Sequence, residues 1–397
     1  MMHNLYCQRE SKTDCVVFSG KIKFNDQTER CHSIILDRYD PASGKEILYA
    51  QRDDAIVVMM LPDLMLYGGE VTVHGTVSRR ILANMERIND FWVSLDPSLY
   101  KKVLFRAGNV IANRRPSEER RSIALFSGGM DSSYMLLKHK NGLDGFNNTS
   151  LSAAVLIQGC DIPLNRKSEF DEAYRKGQET CSALGIPLYR ISTTAKTQRT
   201  NWEMMFNLIV TNVLHCFDEY QVGLFAADID YSMFCEKDIL RWGSNPVTNA
   251  MLSSDFMDIL PVGDEATRSQ KALLIAQNKV MTQNLRVCWQ SDRFHSNCGH
   301  CNKCVRTILN FYAVGIKELS FMPKEMLESK TLLENIKKVT KRMYKTNPNN
   351  LYFYKSIIND TVSEEVNSDW YKTLRKILQR ETFLFDLRRM KQRLMGK

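Results

Sequence analysis

The amino-acid sequence predicts an α/β protein with a doubly wound parallel sheet, and three observations support that prediction. Short apolar segments alternate with helix-length segments between residues 123 and 227, a pattern typical of parallel sheets with helical crossovers. A glycine-rich loop follows the first apolar segment, and a cluster of four cysteines lies downstream of the last one. We therefore expect a doubly wound domain with a metal-binding loop, flanked by further regions at both ends of the chain.

The composition is that of a water-soluble globular protein with more than one domain. The chain has 397 residues, 44% of them hydrophobic and 25% charged, and this length exceeds what a single core of ordinary size accommodates. No apolar run approaches the roughly 18 residues that cross a bilayer, and the first residues lack the apolar stretch of a signal peptide. We expect a cytoplasmic protein that has no membrane partner.

Changes in sequence character divide the chain into three predicted domains. Residues 1–115 combine short β-rich runs with a helical pattern at 80–91, which predicts a small α+β domain of unknown role. A polar, charged segment at 113–121 contains a proline and is typical of a linker. The doubly wound domain is predicted at 116–323. A helical appendage is predicted at 324–397.

Individual strands and helices follow from the same patterns. In the N-terminal region, β-rich runs predict strands at residues 15–18, 33–36, 46–49, 55–60 and 71–73. In the doubly wound domain, apolar runs predict strands at residues 123–126, 153–158, 187–192 and 222–227, with helices at 169–184 and 202–217.

The glycine-rich loop is the first candidate for chemistry. It consists of Ser127, Gly128, Gly129, Met130, Asp131 and Ser132, between a predicted strand and a predicted helix. Such a loop places phosphate against the unpaired N–H groups of a helix N-terminus. The glycines let the backbone approach the anion, the serine hydroxyls add donors, and Asp131 is suited to orienting Mg²⁺ or the loop itself. The Walker and dinucleotide-binding glycine patterns are absent from the sequence. The alternative is a Ser/Gly turn that only caps a helix.

This segment, with Phe126 before it, resembles the signature of the PP-loop ATP pyrophosphatases. The resemblance implies a fold of the PP-loop type, with ATP and Mg²⁺ bound at the carboxyl ends of the strands. It also implies that the loop holds the β- and γ-phosphates of ATP while a substrate oxygen attacks the α-phosphorus. Pyrophosphate then leaves, and a nucleophile displaces AMP from the adenylate.

The clustered cysteines are the second candidate for chemistry. Cys288, Cys298, Cys301 and Cys304 supply four soft sulfur ligands, which suit a tetrahedral, structural Zn²⁺. An iron–sulfur cluster and unligated thiols remain alternatives. His295 or His300 is also close enough in sequence to replace one cysteine. In the reducing compartment that we expect, the seven scattered cysteines are predicted to be small buried hydrophobes rather than disulfide partners.

The loop and the cysteines, in this order, resemble the 7-cyano-7-deazaguanine synthase family across residues 121–315. The cysteine part of the resemblance is the run Cys298-Gly299-His300-Cys301-Asn302-Lys303-Cys304, and Arg306 fits the same pattern. The resemblance implies an ATP-dependent C–N ligase that adenylates 7-carboxy-7-deazaguanine and transfers nitrogen to give an amide or nitrile. The extra N- and C-terminal regions resemble enlarged relatives of bacterial anti-phage gene clusters, in which a protein amine is an acceptor.

Four further residues are candidates from their positions alone. Arg268 and Lys271 fall three apart in a helix predicted to start near Thr267, on one face. We predict that they act with Asp131 as catalytic residues on the phosphates, the alternative being a solvated helix face. Asp161 and Asp228 follow the second and fourth strands of the doubly wound domain. Each is a candidate ligand of Mg²⁺ or substrate, and the alternative is a turn cap.

The end of the chain carries most of the net charge. Residues 324–397 contain 17 Lys and Arg against 9 Asp and Glu, which accounts for nearly all of the net charge of +9. A basic region of this kind suits nucleic acid or an acidic partner, whereas apolar residues among the charges favour an amphipathic helix packed on the body. A tRNA-modifying PP-loop enzyme and a non-catalytic nucleotide- or RNA-binding subunit therefore remain alternative functions.

Overall fold

Ten strands form one sheet in the computed structural model, which describes residues 1–112, 120–199, 201–234, 242–288, 297–346 and 349–394. The strands are β1 (Met2–Ser11), β2 (Cys15–Lys23), β3 (Glu29–Asp37), β4 (Gly69–Ser78), β5 (Val103–Ile111), β6 (Arg121–Leu125), β7 (Ser150–Gln158), β8 (Leu188–Thr193), β9 (Val222–Ala226) and β10 (Asp258–Val262).

The helices fall into three sets along the chain. Those between the strands are α1 (Asp54–Tyr67), α2 (Arg79–Leu95), α3 (Met130–Lys140), α4 (Lys167–Ala183), α5 (Trp202–Thr211), α6 (Tyr231–Phe234) and α7 (Pro246–Asn249). Those around the cysteine cluster are α8 (Arg268–Ala276), α9 (Lys279–Gln283) and α10 (Asn302–Ala313). Those of the C-terminal region are α11 (Ser329–Thr340), α12 (Met343–Thr346), α13 (Asn349–Asn359) and α14 (Asp369–Leu394).

The sheet is mostly parallel. Its strand order is β10-β9-β6-β7-β8-β3-β2-β1-β4-β5. The five strands from β10 to β8 are parallel to one another, and β1, β4 and β5 are parallel too. The pairings β8–β3, β3–β2 and β2–β1 are antiparallel. The predicted α/β class is therefore confirmed, and the arrangement is compatible with a doubly wound fold.

Helices cover both faces of the parallel strands. On β6, Ile123 and Leu125 join one apolar core while Ala124, between them, joins the other. The first core contains side chains of α1, α2 and α5, and the second contains side chains of α3, α4, α8 and α10. Because successive residues of a strand point to opposite faces, a strand buried on both faces has a continuous apolar sequence. That is why residues 123–126 were recognisable as a strand.

The N-terminal strands extend the same sheet. β3 pairs with β8, with Ile34 opposite Thr193 and Leu36 opposite Ile191. The core on this face runs without interruption from α1 to β8. The predicted linker falls largely on residues 113–119, which lie outside the described residues, so the domain boundary at residue 115 stays a prediction.

Two N-terminal strand predictions are wrong. Residues 55–60 belong to helix α1, and residues 46–49 form isolated bridges rather than a named strand. Twelve of the 14 residues of α1 are buried, so this helix lacks the polar face that produces a helical periodicity. A short apolar run without periodicity fits a buried helix as well as a buried strand.

The C-terminal helices pack on the body of the protein. Trp370, Leu374 and Leu378 of α14 are buried in the core that also contains α3 and α10. Further along α14, Phe383, Leu387 and Met390 are exposed. The expected amphipathic packing thus describes the first half of α14.

Gly159, directly after β7, is held in a backbone conformation that favours glycine. Its φ is +98°, and a Cβ built there would lie 2.0 Å from the carbonyl oxygen of Thr193. We expect Gly159→Ala to lower the free energy of unfolding by about 3 kcal/mol or more, since strain and overpacking add. Gly142→Ala is the control, because Gly142 has φ +67° but open space around its Cβ position; urea unfolding of both variants should show a loss of only about 1 kcal/mol for the control. Equal losses would contradict the steric argument.

Candidate active site

The glycine-rich loop lies where the strand order reverses. From β6 the chain moves outward through β7 and β8, then returns to add β9 and β10 on the other side of β6. The connections that leave the carboxyl ends of β6 and β9 therefore diverge and open a crevice. Parallel α/β sheets bind their ligands at this kind of switch point.

The loop is shaped by one glycine and held by two serines. Gly128 has φ +75°, in the left-handed region that favours glycine. The Ser127 and Ser132 hydroxyls lie 3.2 Å apart, and the Gly129 N–H donates to Ser127 Oγ at 3.3 Å. Gly129 is the N-cap of α3, and no side chain among the described residues caps this helix. Its first-turn N–H groups are therefore donors for an anion.

Asp131 joins α3 to α8 through two ion pairs. Arg268 donates from Nη2 to Asp131 Oδ2 at 2.9 Å, and Lys271 donates from Nζ to Asp131 Oδ1 at 3.0 Å. Lys271, which is 1% exposed, also donates to the Ala227 carbonyl oxygen at 2.7 Å. A capping box of Thr267 and Gln270 starts α8 one residue before Arg268, which fixes both cations on the same turn.

The electrostatics of this cluster favour the ionised carboxylate. Burial raises the pKa of Asp131, but the positive charges of Arg268 and Lys271 outweigh burial and hold it below its usual range. The structure thus brings together the three residues that the sequence suggested as catalytic. A solvated helix face would not leave Lys271 buried, which disfavours that alternative here.

Asp228, after β9, has one carboxylate oxygen engaged and one without a partner. Trp242 donates from Nε1 to Asp228 Oδ2 at 2.9 Å. Oδ1 is buried and has no hydrogen-bond partner among the described residues. Burial raises the pKa of Asp228, Arg268 lowers it, and Asp131 raises it again. A buried acceptor without a donor is costly, so this oxygen is a candidate ligand for a cation or an N–H group.

A small, partly open cavity of about 10 Å³, the space of about one water molecule, adjoins the cluster. Its wall includes Asp228, Asp230, Arg268, Lys271, Arg306 and Phe353. Phe353 comes from α13 in the C-terminal region, and its ring centre lies 4.8 Å from Arg268 Cζ and 4.3 Å from Arg306 Cζ. No site role was predicted for α13, because an aromatic residue in a helix of the basic C-terminal region has no pattern that signals a cavity wall.

Asp161, at the end of β7, lies in a different charge environment. Its side chain is exposed; desolvation by the surrounding protein raises its pKa, but Lys303, Arg286 and Lys196 together lower it below its usual value. It does not line the cavity beside Asp131. The structure therefore does not bring Asp161 into the cluster formed by the other predicted site residues.

The four clustered cysteines converge on one point. Their sulfur atoms all lie within 4.8 Å of one another, with Cys288 and Cys301 3.9 Å apart and Cys298 and Cys304 3.8 Å apart. A tetrahedral zinc with Zn–S bonds of about 2.3 Å requires sulfur separations of about 3.8 Å. The hydrogen bond with Cys288 raises the pKa of Cys301 to about 12, so a cation is needed to hold several thiolates here. The cluster is able to hold a metal ion such as zinc.

His300, one of the two neighbouring histidines, does not join this cluster. His300 is exposed and its Nδ1 lies 2.9 Å from the Cys298 carbonyl oxygen. His295 lies outside the described residues. Gly299, with φ +74°, makes the turn between Cys298 and Cys301, and a Cβ there would lie 2.4 Å from Met326 Cγ.

One short segment connects the cysteine cluster to the glycine-rich loop. The Arg286 N–H donates to the Gly128 carbonyl oxygen at 2.8 Å, and Arg286 Nη2 donates to the Ser127 carbonyl oxygen at 3.2 Å. Two residues later the same segment supplies Cys288. Asn297 holds the segment in place, since its Oδ1 accepts from the N–H groups of Val287 at 2.8 Å and Cys288 at 3.0 Å. One segment of the chain therefore contacts the glycine-rich loop and supplies a residue of the cysteine cluster.

Comparison with known proteins adds no relative to this geometry: no family model, no curated protein and no solved structure matches the chain. Among the described residues, no helix is both long enough and apolar enough to cross a membrane.

Proposed function

We propose that the protein binds ATP at the loop after β6 and uses it to adenylate a carboxylate, with release of pyrophosphate. The observation that carries the proposal is the pair of ion pairs from Asp131 to Arg268 and Lys271. They lie beside a glycine-rich helix N-terminus, at the point where the strand order of the sheet reverses. Phosphate charge needs donors and cations held in advance, and this arrangement supplies both. The resemblance to the PP-loop pyrophosphatases specifies AMP, rather than ADP, as the nucleotide product.

In the proposed reaction a carboxylate oxygen attacks the α-phosphorus of ATP. The bond from that phosphorus to the bridging oxygen breaks, and pyrophosphate leaves with the electron pair. Arg268 and Lys271 offset the negative charge that develops on the leaving group. An amine nitrogen then attacks the acyl carbon of the adenylate, gives up a proton, and AMP departs as the amide forms.

The site also suits the Mg²⁺ that accompanies ATP. Asp228 Oδ1 is a buried carboxylate oxygen without a donor among the described residues, and Mg²⁺ prefers such oxygen ligands. Both oxygens of Asp131 are engaged by Arg268 and Lys271, so we assign Asp131 to positioning these cations rather than to metal binding. Bound Mg²⁺ would supply charge neutralisation for the phosphates.

The resemblance to the 7-cyano-7-deazaguanine synthases supports a specific substrate, 7-carboxy-7-deazaguanine. The nitrogen donor would be ammonia, giving an amide, or a protein amine in an anti-phage role. A nitrile would require a second ATP, which adenylates the amide oxygen so that this oxygen leaves with AMP as the nitrogen gives up its protons. The cysteine cluster supports the same assignment, because its sulfur spacing fits a structural zinc.

The proposal is tested by incubating the full-length protein with ATP, Mg²⁺, ammonium and 7-carboxy-7-deazaguanine, and separating the nucleotides. We expect AMP and pyrophosphate in equal amounts, together with an amide or nitrile seen by mass spectrometry. Reactions without the carboxylate are the control and should form no amide or nitrile. ATP consumption that yields only ADP would refute the adenylation scheme.

The identity of the acceptor requires separate arms of the same assay. Replacing ammonium with a candidate partner protein and measuring its intact mass would show attachment of the deazaguanine to a protein amine. Because residues 324–397 have an excess of positive charge, tRNA is also tested as an acceptor. Formation of AMP that depends on tRNA, with binding that weakens steeply as salt rises, would favour an RNA-modifying enzyme instead.

A further inference from the structure

Arg306 is a cation without an acidic partner in the described residues. Its Nη1 donates to the Asn350 side-chain oxygen at 3.2 Å, and its Nε is buried with no acceptor in the part of the chain that the structure describes. Arg268, another residue of the cavity wall, is by contrast paired with Asp131. A guanidinium held in a partly buried wall with only an amide for a partner is poised to bind an anion.

The surroundings of Arg306 oppose its charge. Burial and the nearby Arg268 together lower the pKa of Arg306 to about 10, and Tyr354, Asp131 and Asp228 offset only part of this effect. Phe353 offsets part of this cost, since its ring lies close to both guanidinium groups. Helix α13 thus contributes Asn350 and Phe353, both of which hold the Arg306 side chain in the cavity wall.

We propose that Arg306 binds the carboxylate of the substrate, and that α13 completes this subsite by positioning Arg306 through Phe353 and Asn350. The inference rests on the proposed function, because the ligand is the carboxylate that the adenylation would activate. The C-terminal region is then part of the substrate site, rather than only a basic appendage.

The other groups in the cavity indicate the class of ligand. Ser127, Gly128 and Gly129 do not line the cavity, whereas Arg268 and Lys271 do, so this ligand would lie beside the phosphates that these two cations meet. Asp230 shares the cavity with Arg306. With Asp228 assigned to Mg²⁺, Arg306 and Asp230 suit a ligand that has a carboxylate for the guanidinium and an N–H donor for the aspartate. A planar heterocyclic carboxylate with ring or amino N–H groups has this chemistry.

The test measures equilibrium binding to the full-length protein by calorimetry, without turnover. The ligands are 7-carboxy-7-deazaguanine, 7-deazaguanine as the matched compound without a carboxylate, and α,β-methylene-ATP. The first two are titrated both alone and with α,β-methylene-ATP present, and the ATP analogue is titrated alone. The variants are Arg306→Gln, Phe353→Leu and Phe353→Tyr. Lys355→Gln is the control, because it removes a positive charge from α13 outside the cavity wall.

We expect Arg306→Gln to weaken binding of the carboxylate roughly 10- to 100-fold, as for loss of a hydrogen bond to a charged group. Binding of 7-deazaguanine and of the ATP analogue should stay unchanged. Phe353→Leu should weaken binding of the carboxylate roughly 3- to 10-fold, because the ring no longer holds the guanidinium. Phe353→Tyr should restore it, and Lys355→Gln should leave all three affinities unaltered.

Three results would overturn the inference: no binding of the carboxylate to the unaltered protein, equal affinity in Arg306→Gln, or parallel losses for the carboxylate and the ATP analogue. The proposed function is judged separately, by whether the unaltered protein binds the ATP analogue. If the unaltered protein does not bind the ATP analogue but binds the carboxylate in a way that depends on Arg306, the adenylation scheme is refuted and the carboxylate subsite stands.

Discussion

Asp131→Asn is expected to reduce AMP formation about 100-fold and to lower the free energy of unfolding by about 3 kcal/mol. The substitution keeps the shape of the side chain but removes the negative charge between Arg268 and Lys271. Lys271 is then left buried without a counter-ion, which is the costly way to break a buried ion pair. The loss of activity follows because both cations lose the group that positions them for the phosphates. Nucleotide chromatography and urea unfolding measure the two effects.

Asp171→Asn is the matched control for this prediction. Asp171 also pairs with an arginine, Arg190, at 2.8 Å, but its side chain is 58% exposed. An exposed ion pair contributes about 0–1 kcal/mol, so this variant should retain stability and activity. Similar losses in both variants would show that Asp131 is one ordinary surface charge among others.

The same carboxylate also predicts a pH dependence. The pKa of Asp131 is lowered in the folded protein, so its stabilising effect is fully present above the pKa of an unfolded aspartate, about 3.9. This effect is lost as the pH falls through the lower pKa of the folded state. The difference in stability between the unaltered protein and Asp131→Asn should therefore be constant near neutral pH and shrink below about pH 4. A difference that grows on acidification would contradict the assignment.

The parallel half of the fold was predictable because its strands are buried on both faces. Residues 123–126 and 153–158 are short apolar runs followed by polar loops. When helix-length segments separate such runs, the pattern is typical of strands in a parallel sheet. The N-terminal half was less predictable, since α1 is buried on nearly all sides and carries the same apolar signal as a strand. The strands β1 and β5 mix polar and apolar residues and produced no clear signal.

The candidate site was predictable where spacing along one element determines geometry. Arg268 and Lys271 lie three apart on α8, and the cysteine spacings bring four sulfurs together. Contacts between distant elements were not predictable in this way. Phe353 reaches the cavity only because α13 packs beside α8 and α10, and no local pattern in residues 349–359 encodes that packing.

The connection between the metal site and the loop was also invisible in the sequence. Arg286 lies 158 residues after Gly128, and the two meet because the segment before Cys288 runs beside the loop. Asn297 secures that segment through three hydrogen bonds, to the N–H groups of Val287 and Cys288 and to the carbonyl oxygen of Leu285, and ties it to the Phe321 carbonyl oxygen through a fourth. A change at the cysteines should therefore be felt at the phosphate loop.

Cys304→Ser tests that connection and is expected to reduce the zinc content, the free energy of unfolding and the affinity for nucleotide. Cys304 is 0% exposed and its sulfur is one of the four converging ligands. We expect the unaltered protein to contain one zinc per chain and the variant to contain little or none, with a loss of several kcal/mol in the free energy of unfolding. Affinity for α,β-methylene-ATP should fall about 10-fold or more, because the segment that carries Cys288 also holds the phosphate loop through Arg286. Elemental analysis, urea unfolding and calorimetry provide the measurements, and iron in place of zinc would select the iron–sulfur alternative.

Cys181→Ser separates the metal from the general cost of burying a hydroxyl. Cys181 is also 0% exposed, but it lies on α4, away from the cluster, so the chemical change is the same without a ligand being lost. This variant should lose about 1–2 kcal/mol of stability and keep both its zinc and its affinity for the ATP analogue. If Cys304→Ser loses zinc yet binds the analogue as tightly as Cys181→Ser, the Arg286–Gly128 contact does not transmit the state of the metal site. A parallel loss of zinc and nucleotide affinity in Cys304→Ser alone would make the cysteine cluster a structural support of the phosphate loop.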